Sequence, residues 1–324
     1  MLNAMLGPWP TFSLQFPPPY APAHAGSFDW HRADVGASSM RYKLFVPSTY
    51  DGTPLPLVVM LHGGGQNADD FALGTGMNEL AEEVQCLVAY PEQSAGGWNK
   101  FWNWFDDAHH QRGQGEPALI AAATRDIMAA YAVDGSRVCV AGLSSGGAMA
   151  VILGRTYPDL FTAVGCHSGL AHGCANSQYG AMLAMRDGVD LDALAQTAHA
   201  GSVPTIVFHG DADYTVHPKN GDAVVRQAID AHVAQTGLAH ADIASFREIG
   251  ELGGRGFTRH VHRGDAGQVV AEQWILHGGG HAWSGGNRRG SYTETGGPDA
   301  SREMLRFFLG QPAPHHADER TALA

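Results

Sequence analysis

The chain has 324 residues, 44% of them hydrophobic and 16% charged, with a formal net charge of -12; this length suits one large domain with an ample core. An acidic balance without a Lys/Arg cluster excludes nucleic acid as an expected partner and disfavours an anionic membrane surface. No window of about 18 apolar residues occurs, so no segment is expected to span a bilayer.

Residues 1–26 carry prolines at 8, 10, 17, 18, 19 and 22 and no Lys or Arg. Despite Ala23-His24-Ala25, this is no convincing signal peptide and reads as an extended tail. The expected organisation is a disordered N-terminal tail over 1–30, a catalytic domain over 31–310 and a polar tail over 311–324. A strand is predicted over 40–46, followed by Leu57-Val-Val-Met-Leu61, an unbroken apolar run of the kind that both-face burial produces. It ends in His62-Gly63-Gly64-Gly65-Gln66, where amides can face a carbonyl oxygen with no side chain in the way. The N–H of Gly64, with that of Ser145, is the predicted oxyanion hole, Gly65 and Gln66 remaining open in place of Gly64. No Gly-Lys-Ser/Thr follows, so a phosphate cradle is not expected.

A helix over 76–85 and a strand over 86–90 lead to residues 97–105, which hold Trp98, Phe101, Trp102, Trp104 and Phe105. Trp102 and Trp104 are candidate walls of an apolar substrate groove, with plain packing as the alternative. Arg112 and Glu116 read as a structural ion pair or cap before a helix over 117–131, whose first turn Pro117 fits. The strand predicted over 136–141 runs into Gly142-Leu143-Ser144-Ser145-Gly146 and then a helix over 146–157, stopped by Pro158. Gly-x-Ser-x-Gly between a strand and a helix is a nucleophile elbow, which makes Ser144 the candidate nucleophile.

After a strand over 162–167, residues 168–202 exceed a simple connection and are expected to form a small cap. Cys166 and Cys174 flank a glycine-containing loop and are open to pairing in an oxidising compartment, whereas Cys86 and Cys139 read as buried small hydrophobes. A strand over 203–209 runs into Asp211 and Asp213, of which Asp213 is the first candidate for the acid that orients a catalytic histidine. His209 reads as structural. A helix over 221–236 follows, then a hairpin within 243–276 through Gly264–Gly267.

The last strand, over 269–276, ends in His277-Gly-Gly-Gly-His281-Ala-Trp283. Three glycines free this loop to swing a histidine over the sheet edge, so His281 is the candidate general base and His277 the second choice; Trp283 is the foremost candidate for substrate contact. A helix over 299–309 closes the pattern. Neither His-Glu-x-x-His nor Cys-x-x-Cys occurs, and no metal or cofactor is expected. Alternating strands and helices imply an α/β fold, a mostly parallel sheet with helices on both faces.

Together, Leu61-His-Gly-Gly-Gly-Gln66, Trp102-Asn-Trp-Phe105, Arg112-Gly-Gln-Gly-Glu-Pro117, Gly142-Leu-Ser-Ser-Gly-Gly-Ala-Met149, Tyr157-Pro-Asp-Leu-Phe161, His209-Gly-Asp-Ala-Asp213 and Gly280-His-Ala-Trp-Ser-Gly-Gly286 carry a resemblance. The stretch from about Met40 to Leu309 resembles the poly(3-hydroxybutyrate) depolymerase-like esterases of the α/β-hydrolase fold, relatives of the feruloyl and acetylxylan esterases. The resemblance implies a triad of Ser144, Asp213 and His281, an oxyanion hole at Gly64 and Ser145, and an ester or polyester substrate. Family members are often secreted. Extracellular polymer-degrading members often add a linker and a polymer-binding domain, where this sequence has a short tail after Gly310, so soluble oligomers and smaller esters are expected substrates on an equal footing.

Overall fold

The computed structural model describes residues 26–93, 100–189 and 201–310. The chain opens with β1 (Ser27–Val35), β2 (Ser38–Val46) and β3 (Leu55–Leu61), then α1 (Ala68–Thr75), α2 (Met77–Val84) and β4 (Leu87–Glu92). Next come α3 (Gly115–Ala130), β5 (Val133–Leu143), α4 (Ser145–Thr156), β6 (Ala163–His167) and α5 (Gln178–Asp187). The remainder is β7 (Thr205–Gly210), α6 (Lys219–Thr236), β8 (Ala244–Leu252), β9 (Arg255–Arg263), β10 (Val269–Leu276) and α7 (Ala300–Leu309).

All the strands join one sheet in the order β1-β2-β4-β3-β5-β6-β7-β10-β9-β8. The stretch from β4 to β10 is parallel; β1 and β2 extend it antiparallel at one end, and β9 and β8 at the other. The apolar run of β3 has a simple cause: Leu57, Val59 and Leu61 belong to one buried cluster with α3, α4 and α6, while Val58 and Met60 belong to the other with α1, α2 and α7. Both faces of a central strand are dry, so alternation disappears. The α/β-hydrolase expectation holds.

One expectation needs correction. The tail assigned to 1–30 is too long, because Ser27 already starts β1, an edge strand that pairs with β2 throughout; residues 1–25 and 311–324 lie outside the described residues. Of the cap expected over 168–202, the described part is a loop and α5, docked by His217 N–H to the Met185 carbonyl at 2.7 Å and by Asn220 Nδ2 to the Ala184 carbonyl at 2.9 Å. Cys166 and Cys174 are free thiols, as are Cys86 and Cys139. The hairpin through Gly264–Gly267 joins β9 to β10, and a second, unpredicted turn at Gly253-Gly254 joins β8 to β9.

Candidate active site

Four loops meet at the carboxyl ends of parallel strands, the rim where open α/β sheets place their ligands. Ser144 stands between β5 and α4 with φ 56° and ψ -119°. A non-glycine residue held there stores on the order of 1–3 kcal/mol of strain and persists only where its surroundings impose it. They do: its N–H donates to the His167 carbonyl at 2.8 Å, and its own carbonyl accepts the Ala148 N–H at 2.9 Å. Gly146 is required because a Cβ there would collide with the carbonyls of Leu61 and His62, against which the start of α4 packs. Ser144 thus projects from a rigid turn.

Asp213 follows β7 and is buried. Its Oδ1 accepts the N–H groups of Thr215 and Val216, each at 2.9 Å, and its Oδ2 lies 2.7 Å from His281 Nδ1. Burial by itself would raise the Asp213 pKa. Hydrogen bonds from His209 and His281, the charge of His281 and the Val216 amide outweigh it and hold the carboxyl well below the usual carboxylate range. A permanent anion therefore faces the imidazole and fixes Nδ1 as the proton-bearing nitrogen, which leaves Nε2 to act as a base. His209 is structural, as expected: its Nε2 donates to the Val216 carbonyl at 2.9 Å and stands 3.5 Å from Asp213 Oδ2.

The second-choice pair, Asp211 and His277, also meets. His277 Nδ1 lies 3.0 Å from Asp211 Oδ2, and Asp211 Oδ1 accepts the Gly278 N–H at 2.7 Å. The Asp213 loop and the His281 loop are stitched further by Asp211 N–H to the Leu276 carbonyl at 3.1 Å and Ala212 N–H to the Gly279 carbonyl at 3.0 Å. His277 Nε2 is taken up by the Thr258 hydroxyl at 3.1 Å. This outer pair fastens the frame that holds Asp213 against His281.

Among the described residues no hydrogen bond joins the Ser144 hydroxyl to His281; the two loops are connected through His167, at the end of β6. Its carbonyl holds Ser144, and its Nε2 accepts the Ser284 N–H at 3.1 Å, three residues past His281. The ring is stacked between Trp283, 5.1 Å away, and Phe208, 5.8 Å away. Burial, helped by His209 and His281 nearby, drives its pKa down to about 3, so the acceptor stays unprotonated. No local motif marks His167. Its one sequence signal is a polar residue at the carboxyl end of a strand lying between the elbow strand and the acid strand.

At the end of β3, Gly63 N–H is consumed by Gln66 Oε1 at 2.8 Å, and Gln66 N–H by the Gly63 carbonyl at 3.2 Å. Gln66 is therefore no oxyanion donor; its side chain ties the turn to the Ser291 carbonyl at 2.9 Å. The amides of Gly64, Gly65 and Ser145 are uncommitted among the described residues. Phe101, half-buried, packs its ring over Gly64 so closely that a Cβ there would strike it.

The tryptophans proposed as substrate contacts are a correction. Trp283 and Trp102 are each 0% exposed and Trp104 3%, so none offers a face to a ligand. Trp283 donates Nε1–H to the Ser301 hydroxyl at 3.0 Å and meets Phe71 edge-on, while Trp102 donates to the His62 carbonyl at 2.9 Å. Both are core pieces that brace the two loops. Trp98 lies outside the described residues. Arg112 and Glu116 are structural but do not pair together: Arg112 binds Asp159, and Glu116 accepts from the Asn103 N–H at 2.9 Å. No group of three or more His, Cys, Asp or Glu able to hold a metal occurs among the described residues.

Residues 40–248 match the family described as Esterase PHB depolymerase. The chain belongs to this family. Poly(3-hydroxyalkanoate) depolymerase C of Paucimonas lemoignei is 33% identical over 236 residues, covering 70% of this chain and 54% of that protein. Feruloyl esterase B of Neurospora crassa is 33% identical over 138 residues, 42% of this chain and 46% of its own. This PHB depolymerase family member thus spans about half the length of these curated relatives. Its fold is shared with the acetyl xylan esterase from Aspergillus awamori, at a TM-score of 0.67 and 20% identity over 87% of this chain and 99% of that one.

Proposed function

We propose that the chain is a serine carboxylic-ester hydrolase acting on 3-hydroxyalkanoate polyesters or their oligomers, with Ser144 as nucleophile, His281 as general base and Asp213 as the acid that orients it. The observation that carries this reading is the 2.7 Å contact of Asp213 Oδ2 with His281 Nδ1 at the same rim as a serine held at φ 56°. His281 Nε2 takes the Ser144 proton as the oxygen attacks the ester carbonyl. The resulting oxyanion faces the amides of Gly64 and Ser145, each lowering the barrier by roughly 3 kcal/mol. Protonated His281, steadied by the Asp213 anion, gives its proton to the departing alcohol. Water, deprotonated by the same nitrogen, then cleaves the acyl-serine to release the acid and restore the hydroxyl.

The substrate class draws support from the 33% identity to a relative named poly(3-hydroxyalkanoate) depolymerase C, and the half-buried Phe101 ring beside Gly64 supplies an apolar wall for an acyl chain. Feruloyl or acetylxylan ester hydrolysis is the second reading, favoured by the feruloyl esterase B match. Purified protein assayed side by side on 3-hydroxybutyrate oligomers, methyl ferulate and acetylated xylan separates the two. Highest kcat/KM on the oligomers supports the first; a preference for either plant-derived ester overturns it.

A further inference from the structure

The far edge of the sheet is built differently from the near one. β8 pairs with β9 on one side only, and of its nine residues all but Gly250 are exposed. Three of them are large and apolar: Phe246 is 58% exposed, Ile249 65% and Leu252 45%. A long edge strand with apolar side chains and no proline is what soluble proteins usually avoid, because its free N–H and C=O groups template pairing with another chain. At the opposite edge the exposed Trp30 of β1 is covered by Arg41, 4.6 Å from the ring centre, and by Lys43. Nothing comparable covers Phe246, Ile249 or Leu252 among the described residues. Arg247 and Glu251 likewise have no ion-pair partner among the described residues.

We propose that β8 is a homodimer interface, pairing antiparallel with β8 of a second copy about a two-fold axis through Ile249, so that the two sheets continue into one.

The occupant is read from the strand itself. A two-fold axis normal to the sheet keeps each face on its own side, so a residue meets one of the same parity. With the axis at Ile249, one face brings Ile249 against its copy, flanked on both sides by Arg247 opposite Glu251. The other face brings Phe246 opposite Leu252, and Glu248 opposite Gly250. Every large apolar side chain meets an apolar one and each free charge meets its opposite, while Glu248, already 3.2 Å from Arg259, faces a residue without a side chain. The neighbouring registers fail. An axis at Glu248 or Arg247 stacks like charges, and one at Gly250 sets Ile249 against Glu251 and Leu252 against Glu248. A single seven-residue ladder buries little area, so the pairing is reversible and concentration-dependent.

Sedimentation velocity of the full chain over a concentration series tests this. Wild type should rise reversibly from the mass of one chain to that of two. Ile249→Lys, which sets like charges face to face on the axis, should be monomeric throughout with unchanged melting temperature and ester hydrolysis. Arg247→Glu and Glu251→Arg alone should each weaken association roughly tenfold, since symmetry makes every contact occur twice, and the double exchange should restore it. A wild type that stays monomeric at every concentration overturns the proposal. So does a dimer indifferent to Ile249→Lys, or a double exchange that fails to rescue.

Discussion

The main-chain N–H of Ser144 donates to the carbonyl oxygen of His167 at 2.8 Å, and the ring of that same histidine accepts the Ser284 N–H at 3.1 Å. One residue at the end of β6 therefore fixes the serine turn from one side and the histidine loop from the other. Its ring performs this task only while unprotonated, which burial guarantees.

His167→Phe keeps a stacked ring between Trp283 and Phe208 but removes the acceptor for Ser284. We expect kcat on a soluble ester to fall roughly tenfold, the scale of one lost hydrogen bond, with KM little changed. Steady-state kinetics at fixed pH read the split; an unchanged kcat would show that the loop needs no such anchor.

Ser144→Ala should remove ester hydrolysis almost entirely, on the order of a million-fold in turnover by analogy with other serine triads. A fluorophosphonate probe should label wild type and leave this variant unlabelled. Retention of most activity, or of labelling, moves the nucleophile elsewhere.

Asp213→Asn should cost on the order of 10⁴ in kcat by stabilising the wrong imidazole tautomer. Asp211→Asn weakens only the outer fastening at Gly278 and His277, so its loss should be far smaller and accompanied by a lower melting temperature. Measuring both variants on one ester decides the matter, and the opposite ordering would reassign the acid.

Acid stability should reflect three buried histidines. Burial is the main cause that lowers His62 and His172 to about 4 and His167 to about 3, whereas in the unfolded chain each titrates near 6.5. Between those values the unfolded state binds the extra protons. Stability is thus whole above about pH 6.5 and falls as pH drops, by about 1.4 kcal/mol per unit for each histidine. Asp213 acts lower: its depressed folded pKa stabilises above the unfolded value of about 3.9, and that contribution is lost as pH falls below it. Urea midpoints between about pH 4.5 and 7.5 should slope accordingly, and His167→Gln should flatten the slope by one proton; a slope the variant leaves unaltered would refute this.

Trp283→Ala should lower stability by about 3–5 kcal/mol, the cost of emptying a packed aromatic site, whereas Phe101→Ala should leave the melting temperature nearly unchanged and raise KM. Thermal melts beside substrate titrations distinguish the two. A Trp283→Ala protein with normal stability and a raised KM would return that residue to the substrate groove.

The parallel strands, the elbow geometry at Ser144 and the contact of Asp213 with His281 were legible because each leaves a local mark: an unbroken apolar run, or glycines beside a polar residue at its end. What escaped depends on distant neighbours. Trp283 follows His281 by two residues and looks available, yet its indole is sealed by Phe71 of α1 and Ser301 of α7. β1 and β8 lie at sheet edges, where exposed Asp29, Arg32, Asp34 and Glu248 hide any strand pattern. α1 begins at an Asn67 cap immediately after the glycine turn and reads as part of that turn. His167 carries no motif at all.

The parallel pairing of β10 with β7 sets a schedule as well as a shape. Asp213 and His281 come from the ends of those two neighbours, and the β8–β9 hairpin is threaded between them in the chain. During synthesis Ser144 leaves the ribosome before Asp213 and Asp213 before His281, so the place beside β7 stays empty until β10 is made. On the proposed chemistry the growing polypeptide stays silent until β10 has docked against β7, a built-in delay between being made and being armed.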